Sequence, residues 1–317
     1  MPVFQQGISE VRAAKLERNF FSMNTTNLIF PTNRVADIER CFRDALSGLY
    51  PEGEIRSFFL MLCDAFLGWD KLAYLLHRRE TVNQSDMLRF HWALEDLKRY
   101  RPIQHIVGYI DFCGCRIEVN ESVLIPRPET EELVEFLAVS GQRSAASVLD
   151  LCTGSGCIAV ALKSLSPKCR VVGVDISPEA LKVAKRNAVE NNVEVDFLQA
   201  DVLLDSQWSS FGGPWDLIVS NPPYITDAEK ALMQANVIDY EPSQALFVPN
   251  DDPLLFYKHI VAFAKQRLTN GGLLAMEINE RFGQETLQLL HDHGFTGVLH
   301  HDFRGKDRFV TASLSSR

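Results

Sequence analysis

From Ser147 onward the chain alternates short strand-like runs with helical ones, and this alternation restricts the fold more than any other feature of its 317 residues. Ser147–Asp150 reads as a buried strand, Gly156–Ser166 as a helix, Arg170–Asp175 as a strand, Pro178–Asn192 as a helix and Val195–Gln199 as a third strand. Trp215–Ser220 (strand), Pro253–Thr269 (helix), Leu273–Ile278 (strand) and Glu280–His293 (helix) continue the series, and Phe295–His300 with Arg308–Ser313 closes it as a hairpin. Strands joined through helices lie parallel, with the helices covering both faces. The expected fold is therefore α/β, with a mostly parallel sheet of seven strands ending in an antiparallel hairpin. In such sheets ligands bind beyond the carboxyl ends of the strands, where the direction of winding reverses.

The chain before this region follows other rules. Residues 1–22 show no clear period, and a better-patterned sequence opens at Met23. Between Val35 and Arg99 apolar residues recur at helical spacing, as in Ile38, Phe42, Ala45, Leu46 and Leu49, punctuated by Tyr50-Pro51, Gly68 and Asn83. That pattern predicts a small helical bundle. His105 to Val119 is rich in Ile, Val, Tyr and Phe around Cys113-Gly114, as in a β-hairpin. Thr130 is expected to cap a helix over Glu131–Val139. The expected organisation is an N-terminal extension and helical recognition domain over 1–100, a hairpin linker over 101–130 and the α/β domain over 131–317.

Apolar residues make up 46% and charged residues 23%, an ordinary folded composition. The net charge is -9, while residues 1–100 carry acidic and basic side chains in equal number. A broad basic footprint for nucleic acid is missing, so no direct nucleic-acid substrate is expected. The seven cysteines have no paired zinc spacing, and no N-terminal stretch has the regions of a signal peptide, which points to a reducing cytoplasm. Cys113 and Cys115 fit strand packing better than a metal site, and no metal is expected. No apolar run approaches the roughly 18 residues needed to span a bilayer.

The first strand of the α/β region runs into Asp150-Leu151-Cys152-Thr153-Gly154-Ser155-Gly156 and then directly into a helix. Small residues there let the backbone approach a ligand, and the helix start offers unpaired N–H groups. The pattern G-x-x-x-x-G-K-[ST] is absent, so a phosphate-cradling loop is disfavoured. The next strand ends at Asp175, where a carboxylate can accept from ribose hydroxyls. The third is followed by Asp201-Val202; Asp201 could accept from the exocyclic amine of adenine or could cap a turn. Taken together, Cys152, Thr153, Gly154, Ser155, Gly156, Asp175 and Asp201 form the set expected to bind a nucleoside cofactor.

Asn221-Pro222-Pro223-Tyr224 stands at the carboxyl end of the fourth strand. Two prolines end the strand and remove two backbone donors, leaving carbonyl oxygens that can only accept. The Asn221 side chain adds a further acceptor. Such a cluster suits an N–H₂ group, and Asn221, Pro222, Pro223 and Tyr224 are the expected substrate-binding residues, with Asn221, Pro222 and Tyr224 as the catalytic ones. An amide nitrogen is a poor nucleophile because its lone pair is delocalised, with a rotation barrier of roughly 18–20 kcal/mol. Acceptors on both N–H hydrogens favour a pyramidal nitrogen and stabilise the positive charge that grows on it. Tyr224 could stack on the planar amide. Adenine and cytosine amino groups also present N–H₂, so the tetrapeptide alone does not choose among them.

From Arg101 to the C-terminus the chain resembles the HemK/PrmC-type peptide chain release factor N5-glutamine methyltransferases. The resemblance rests on Arg101-Pro102-Ile103-Gln104-His105-Ile106-Val107-Gly108, on Val123 through Glu131 and on Asn221 through Tyr224. It implies a Rossmann-like class I methyltransferase sheet, S-adenosyl-L-methionine as cofactor with S-adenosyl-L-homocysteine as product, and class-one peptide chain release factors as partners. The methylated atom would be N5 of the glutamine in their Gly-Gly-Gln loop. By the same resemblance the loop at 152–156, Asp175, Val202 and Asn221 bind cofactor, and Asn221 through Tyr224 bind glutamine. Cys152 stands where the family loop carries its first glycine, and the loop is expected to keep its shape. Arg127 and Glu129 read as positioning residues near the site or as an ion pair linking domains. Alternative readings are a ribosomal-protein glutamine methyltransferase, an N6-adenine nucleic-acid methyltransferase, and a cofactor-binding regulatory protein without turnover. Pro128-Glu129-Thr130 favours the release-factor branch. The sequence leaves the oligomeric state open.

Overall fold

A computed structural model of the chain describes residues 30–140, 145–233, 235–302 and 304–314. Residues 1–22 and the Met23 boundary lie outside these. The described chain divides into two compact units, one ending at Arg99 and the other beginning at Tyr100.

The first unit holds α1 (Val35–Leu46), α2 (Glu52–Leu67), α3 (Lys71–His77) and α4 (Gln84–Leu97). Its core follows from the helical period: Val35, Ile38, Phe42 and Leu46 line one stripe of α1 and are fully buried. The Phe59 ring of α2 stacks on Phe90 of α4 with centroids 5.4 Å apart, and meets Phe42 edge-on at 5.2 Å. Gly68 ends α2 in the left-handed conformation, φ +68, and Asn83 caps α4 by accepting from the Asp86 amide at 2.9 Å. Both breaks fall where the sequence placed them.

The second unit opens with α5 (Ile103–Val107) and a hairpin of β1 (Tyr109–Phe112) and β2 (Cys115–Glu118). Next come α6 (Pro128–Val139), β3 (Ser147–Leu151), α7 (Cys157–Leu165), β4 (Arg170–Asp175), α8 (Pro178–Glu190), β5 (Asp196–Gln199) and β6 (Trp215–Ser220). The short β7 (Ile225–Thr226) and β8 (Phe247–Val248) pair with each other, and α9 (Leu255–Arg267), β9 (Leu268–Glu277), α10 (Gly283–Asp292), β10 (Phe295–His301) and β11 (Asp307–Leu314) complete the chain. The main sheet has seven strands in the order β10-β11-β9-β6-β3-β4-β5. β5, β4, β3, β6 and β9 are parallel, whereas β11 runs antiparallel to β9 and β10 antiparallel to β11. This is the Rossmann-like class I methyltransferase sheet, with winding reversed between β3 and its two neighbours β4 and β6.

Two details differ from the sequence reading, and the cysteine pair falls where it was expected. α6 begins at Pro128 with Arg127 as its N-cap residue, so Thr130 lies inside the first turn and is not its cap. Proline's fixed φ suits the first helical position and moves the start forward by three residues. β9 begins at Leu268, because Trp215 pairs with Leu268 before an irregularity brings Leu217 against Leu273; Gly271, at φ +81, lies within that irregularity. Cys113 and Cys115 belong to the hairpin, with Cys113 at its turn and Cys115 buried, and both are free thiols.

The hairpin is hydrogen-bonded to α8. Asn187, fully buried, accepts from the Glu118 amide at 2.7 Å and donates to the Glu118 carbonyl at 3.1 Å and the Ser155 carbonyl at 2.8 Å. Thus one side chain ties together the hairpin, a helix and the loop after β3.

Candidate active site

The loop after β3 turns on three residues with positive φ: Cys152 at +59, Gly154 at +54 and Gly156 at +77. Gly156 is required on two counts. Beyond its left-handed backbone, a Cβ there would lie 2.9 Å from Ala184 Cβ and 3.3 Å from the Phe197 ring, so the glycine lets α7 and α8 close up. Cys152 adopts the left-handed region without that freedom, at a cost of order 1–3 kcal/mol. The loop keeps its turn, and the side chain at 152 bears the strain.

Beneath the loop, Thr153 Oγ1 donates to Asp150, which is fully buried. Burial pushes the Asp150 carboxyl up to about 7, against the opposing pull of the Thr153 hydroxyl. Gly154 N donates to Asp175 Oδ2 at 2.8 Å and Ser177 N to Asp175 Oδ1 at 2.8 Å. Burial raises the Asp175 carboxyl while these amides oppose it. On the far side of the site, Ser220 Oγ donates to the Leu151 carbonyl at 2.6 Å, joining the ends of β6 and β3.

These ends enclose a cavity of about 370 Å³, within the usual span of roughly 300–1,000 Å³ for small-molecule sites. Cys152, Thr153, Gly154, Ser155, Asp175, Asp201, Val202, Asn221 and Pro223 line it; Gly156 and Pro222 do not. Asp201 Oδ1 accepts from the Leu203 amide at 2.9 Å, so this carboxylate does cap a turn, and it faces the cavity as well. The Val202 carbonyl is held by the Trp208 indole at 2.9 Å. Ile176, Val202 and Leu203 add apolar lining and Asp175 an acid at a strand end, a pairing that suits the two halves of a nucleoside, a flat base and a diol. Ile176, exposed beside Asp175, gave no sequence signal beyond its position after the acid.

A second cavity of about 240 Å³ adjoins the first and shares Leu124, Asn221 and Ala245 with it. Tyr224, Arg127, Met233 and Val237 complete much of its wall. Arg127 Nη2 donates to the buried Glu241 at 2.6 Å, and the other Glu241 oxygen accepts from the Ile125 amide at 3.0 Å. Glu129 lies 3.8 Å from Arg308. Glu241 and Arg308 belong to the same unit as Arg127 and Glu129, so neither pair links the two units.

The tetrapeptide is held from behind. Asn221 Nδ2 donates to Thr130 Oγ1 at 3.0 Å, Thr130 Oγ1 donates to Glu277 Oε2 at 2.6 Å, and the Tyr224 hydroxyl donates to Glu277 Oε1 at 2.9 Å. The Tyr224 carbonyl accepts from Asn279 Nδ2 at 3.0 Å. Asn221 Oδ1 and the Pro222 carbonyl take no hydrogen bond from the described residues. Glu277 is fully enclosed, and burial raises its carboxyl against the two hydroxyl donors. Thr130 and Glu277 were not singled out from the sequence as site residues; each lies far along the chain from the motif it supports.

Residues 128–244 match the family described as "Methyltransferase small domain" and residues 40–108 the one described as "PrmC N-terminal domain". A protein of Flavobacterium psychrophilum named release factor glutamine methyltransferase is 39% identical over 278 residues, covering 86% of this chain and 96% of that protein. One of the same name from Bacteroides thetaiotaomicron is 40% identical over 272 residues, covering 86% and 97%. Another from Lactococcus lactis is 39% identical over 245 residues, covering 76% and 88%.

Proposed function

Since the chain belongs to the release factor glutamine methyltransferases, we propose that it methylates N5 of the glutamine in the Gly-Gly-Gln motif of class-one peptide chain release factors, with S-adenosyl-L-methionine as donor. The observation that carries this reading is the free Asn221 Oδ1 on the wall shared by two cavities. The larger cavity takes the donor, with Asp175 on the ribose hydroxyls, Ile176, Val202 and Leu203 about the base, and the 152–155 loop along the amino-acid portion. The smaller takes the glutamine side chain. When bound, the donor supplies an electrophilic sulfonium methyl.

The chain's own residues supply position and polarity. Asn221 Oδ1 and the Pro222 carbonyl accept from the two N–H hydrogens, which turns the nitrogen lone pair toward the first cavity. The same oxygens stabilise positive charge as it develops on nitrogen. Such alignment accounts for up to about 7–11 kcal/mol of a barrier, without a covalent enzyme intermediate. Tyr224, its hydroxyl held by Glu277, gives the planar amide a rigid wall.

No described helix is long and apolar enough to cross a membrane. The described cysteines are all free, which supports action in the reducing cytoplasm. In the test, labelled S-adenosyl-L-methionine is incubated with release factors, ribosomal proteins and nucleic acids, and the labelled atom is located by mass spectrometry. Label on the release-factor glutamine is expected. Label confined to a ribosomal protein or to a nucleobase would replace this reading. Asn221→Ala should lower turnover by roughly a hundred- to a thousandfold, the usual loss on removing one preorganised polar contact.

A further inference from the structure

We propose that Thr130 and Glu277 are positioning residues whose hydrogen-bond polarity fixes which end of the Asn221 amide faces the substrate. The inference rests on the proposed role of Asn221 as acceptor of the substrate N–H.

An asparagine side chain can turn over about its last bond and exchange an acceptor for a donor with little change of shape. Inverted, Asn221 would present N–H₂ to an incoming N–H₂ group, donor against donor. The surroundings decide the orientation. A threonine hydroxyl carries one proton. Thr130 gives that proton to Glu277 Oε2 at 2.6 Å, the short distance of a charge-assisted bond. It can therefore meet Asn221 only with a lone pair, and Asn221 answers with Nδ2 at 3.0 Å. Oδ1 is left facing the cavities. The polarity originates at Glu277, whose two oxygens both accept from hydroxyls, Thr130 on one and Tyr224 on the other.

Architecture makes the relay rigid. Thr130 sits in the first turn of α6 at 1% exposure, and Glu277 ends β9 at 2%. β9 pairs with β6 up to Ser220↔Met276, so Asn221 and Glu277 are the next residues on adjacent parallel strands. The second Glu277 oxygen holds the Tyr224 hydroxyl, so one carboxylate sets both ends of the tetrapeptide. With no hydrogen bond from the described residues to Oδ1, this relay is what distinguishes the two faces of the amide.

The full chain is assayed with unmethylated class-one release factor and labelled S-adenosyl-L-methionine, as wild type, Thr130→Val, Thr130→Ser and Glu277→Gln, each also combined with Asn221→Ala. Thr130→Val keeps the shape and loses the relay. Its kcat should fall roughly ten- to a hundredfold, somewhat less than outright loss of a preorganised group, while the cofactor Kd stays within about twofold. Thr130→Ser, which retains the hydroxyl, should recover to within about threefold of wild type. In the Asn221→Ala background Thr130→Val should add almost nothing, because the group it orients is gone. If Thr130→Val does not fold, the same cycle is read from Glu277→Gln, whose amide can present a donor to Thr130. Wild-type turnover in the Thr130 or Glu277 variant, or a full additional loss on top of Asn221→Ala, overturns the relay. Wild-type turnover of Asn221→Ala alone overturns instead the role proposed for Asn221.

Discussion

The backbone amide of Gly154 donates to Asp175 Oδ2 at 2.8 Å, so the loop after β3 is tied to the end of β4 by the carboxylate proposed to meet the ribose. Asp175→Ala removes the acceptor and releases the loop at once. Hydrogen bonds to charged groups contribute about 1.5–3 kcal/mol, so the Kd for S-adenosyl-L-methionine should rise roughly ten- to a hundredfold. Calorimetric titration measures it, and an unchanged Kd would remove Asp175 from the ribose.

Cys152 sits at φ +59, where a β-branched side chain is strained further. Thermal unfolding of the apoprotein should rank Cys152→Gly at or above wild type and Cys152→Val below it by about 1–3 kcal/mol. The opposite order would mean that thiol packing outweighs backbone strain at this position.

Asp150 provides a pH test of stability. Burial raises its carboxyl to about 7 in the folded chain from an ordinary value of 3.8. A raised acid binds its proton more tightly when folded, so its contribution is fully present below pH 3.8 and is lost as pH rises through about 7. Asp150→Asn mimics the protonated form at every pH. Urea unfolding should therefore show wild type losing ground to Asp150→Asn between pH 5 and pH 8. A constant difference would show that the carboxyl titrates alike in both states.

Glu241 holds Arg127 and the Ile125 amide with its two oxygens. Glu241→Ala should loosen the Leu124–Arg127 wall and cost roughly 1.5–3 kcal/mol of stability, the range for losing charged hydrogen bonds. It should also raise KM for the release factor, because Leu124 and Arg127 line the smaller cavity. Steady-state kinetics beside denaturant unfolding separate the two effects.

Much of this was legible in the chain because the informative signals are local. The strands, their order of appearance, the loop at 152–156, Asp175 and the Asn221–Tyr224 segment each stand within a few residues of the pattern that identifies them. The support behind Asn221 is different in kind. Thr130 is 91 residues from Asn221 and Glu277 is 53 from Tyr224, and they meet only because the sheet sets β9 beside β6 and the first turn of α6 reaches both strand ends. The same holds for Glu241, 114 residues from Arg127. Thr130 even carried a misleading local signal, since threonine before an acidic turn resembles a helix cap. Proline at the first helical position outweighed it.

Leu124, Asn221 and Ala245 belong to both chambers, so the partition between them is a single layer of side chains. A wall that thin communicates by steric pressure alone: a bulkier residue at 245 would crowd donor and acceptor together, and filling one chamber buttresses the other. Order of loading and mutual tightening of the two ligands would then arise from shared masonry, with no hinge required.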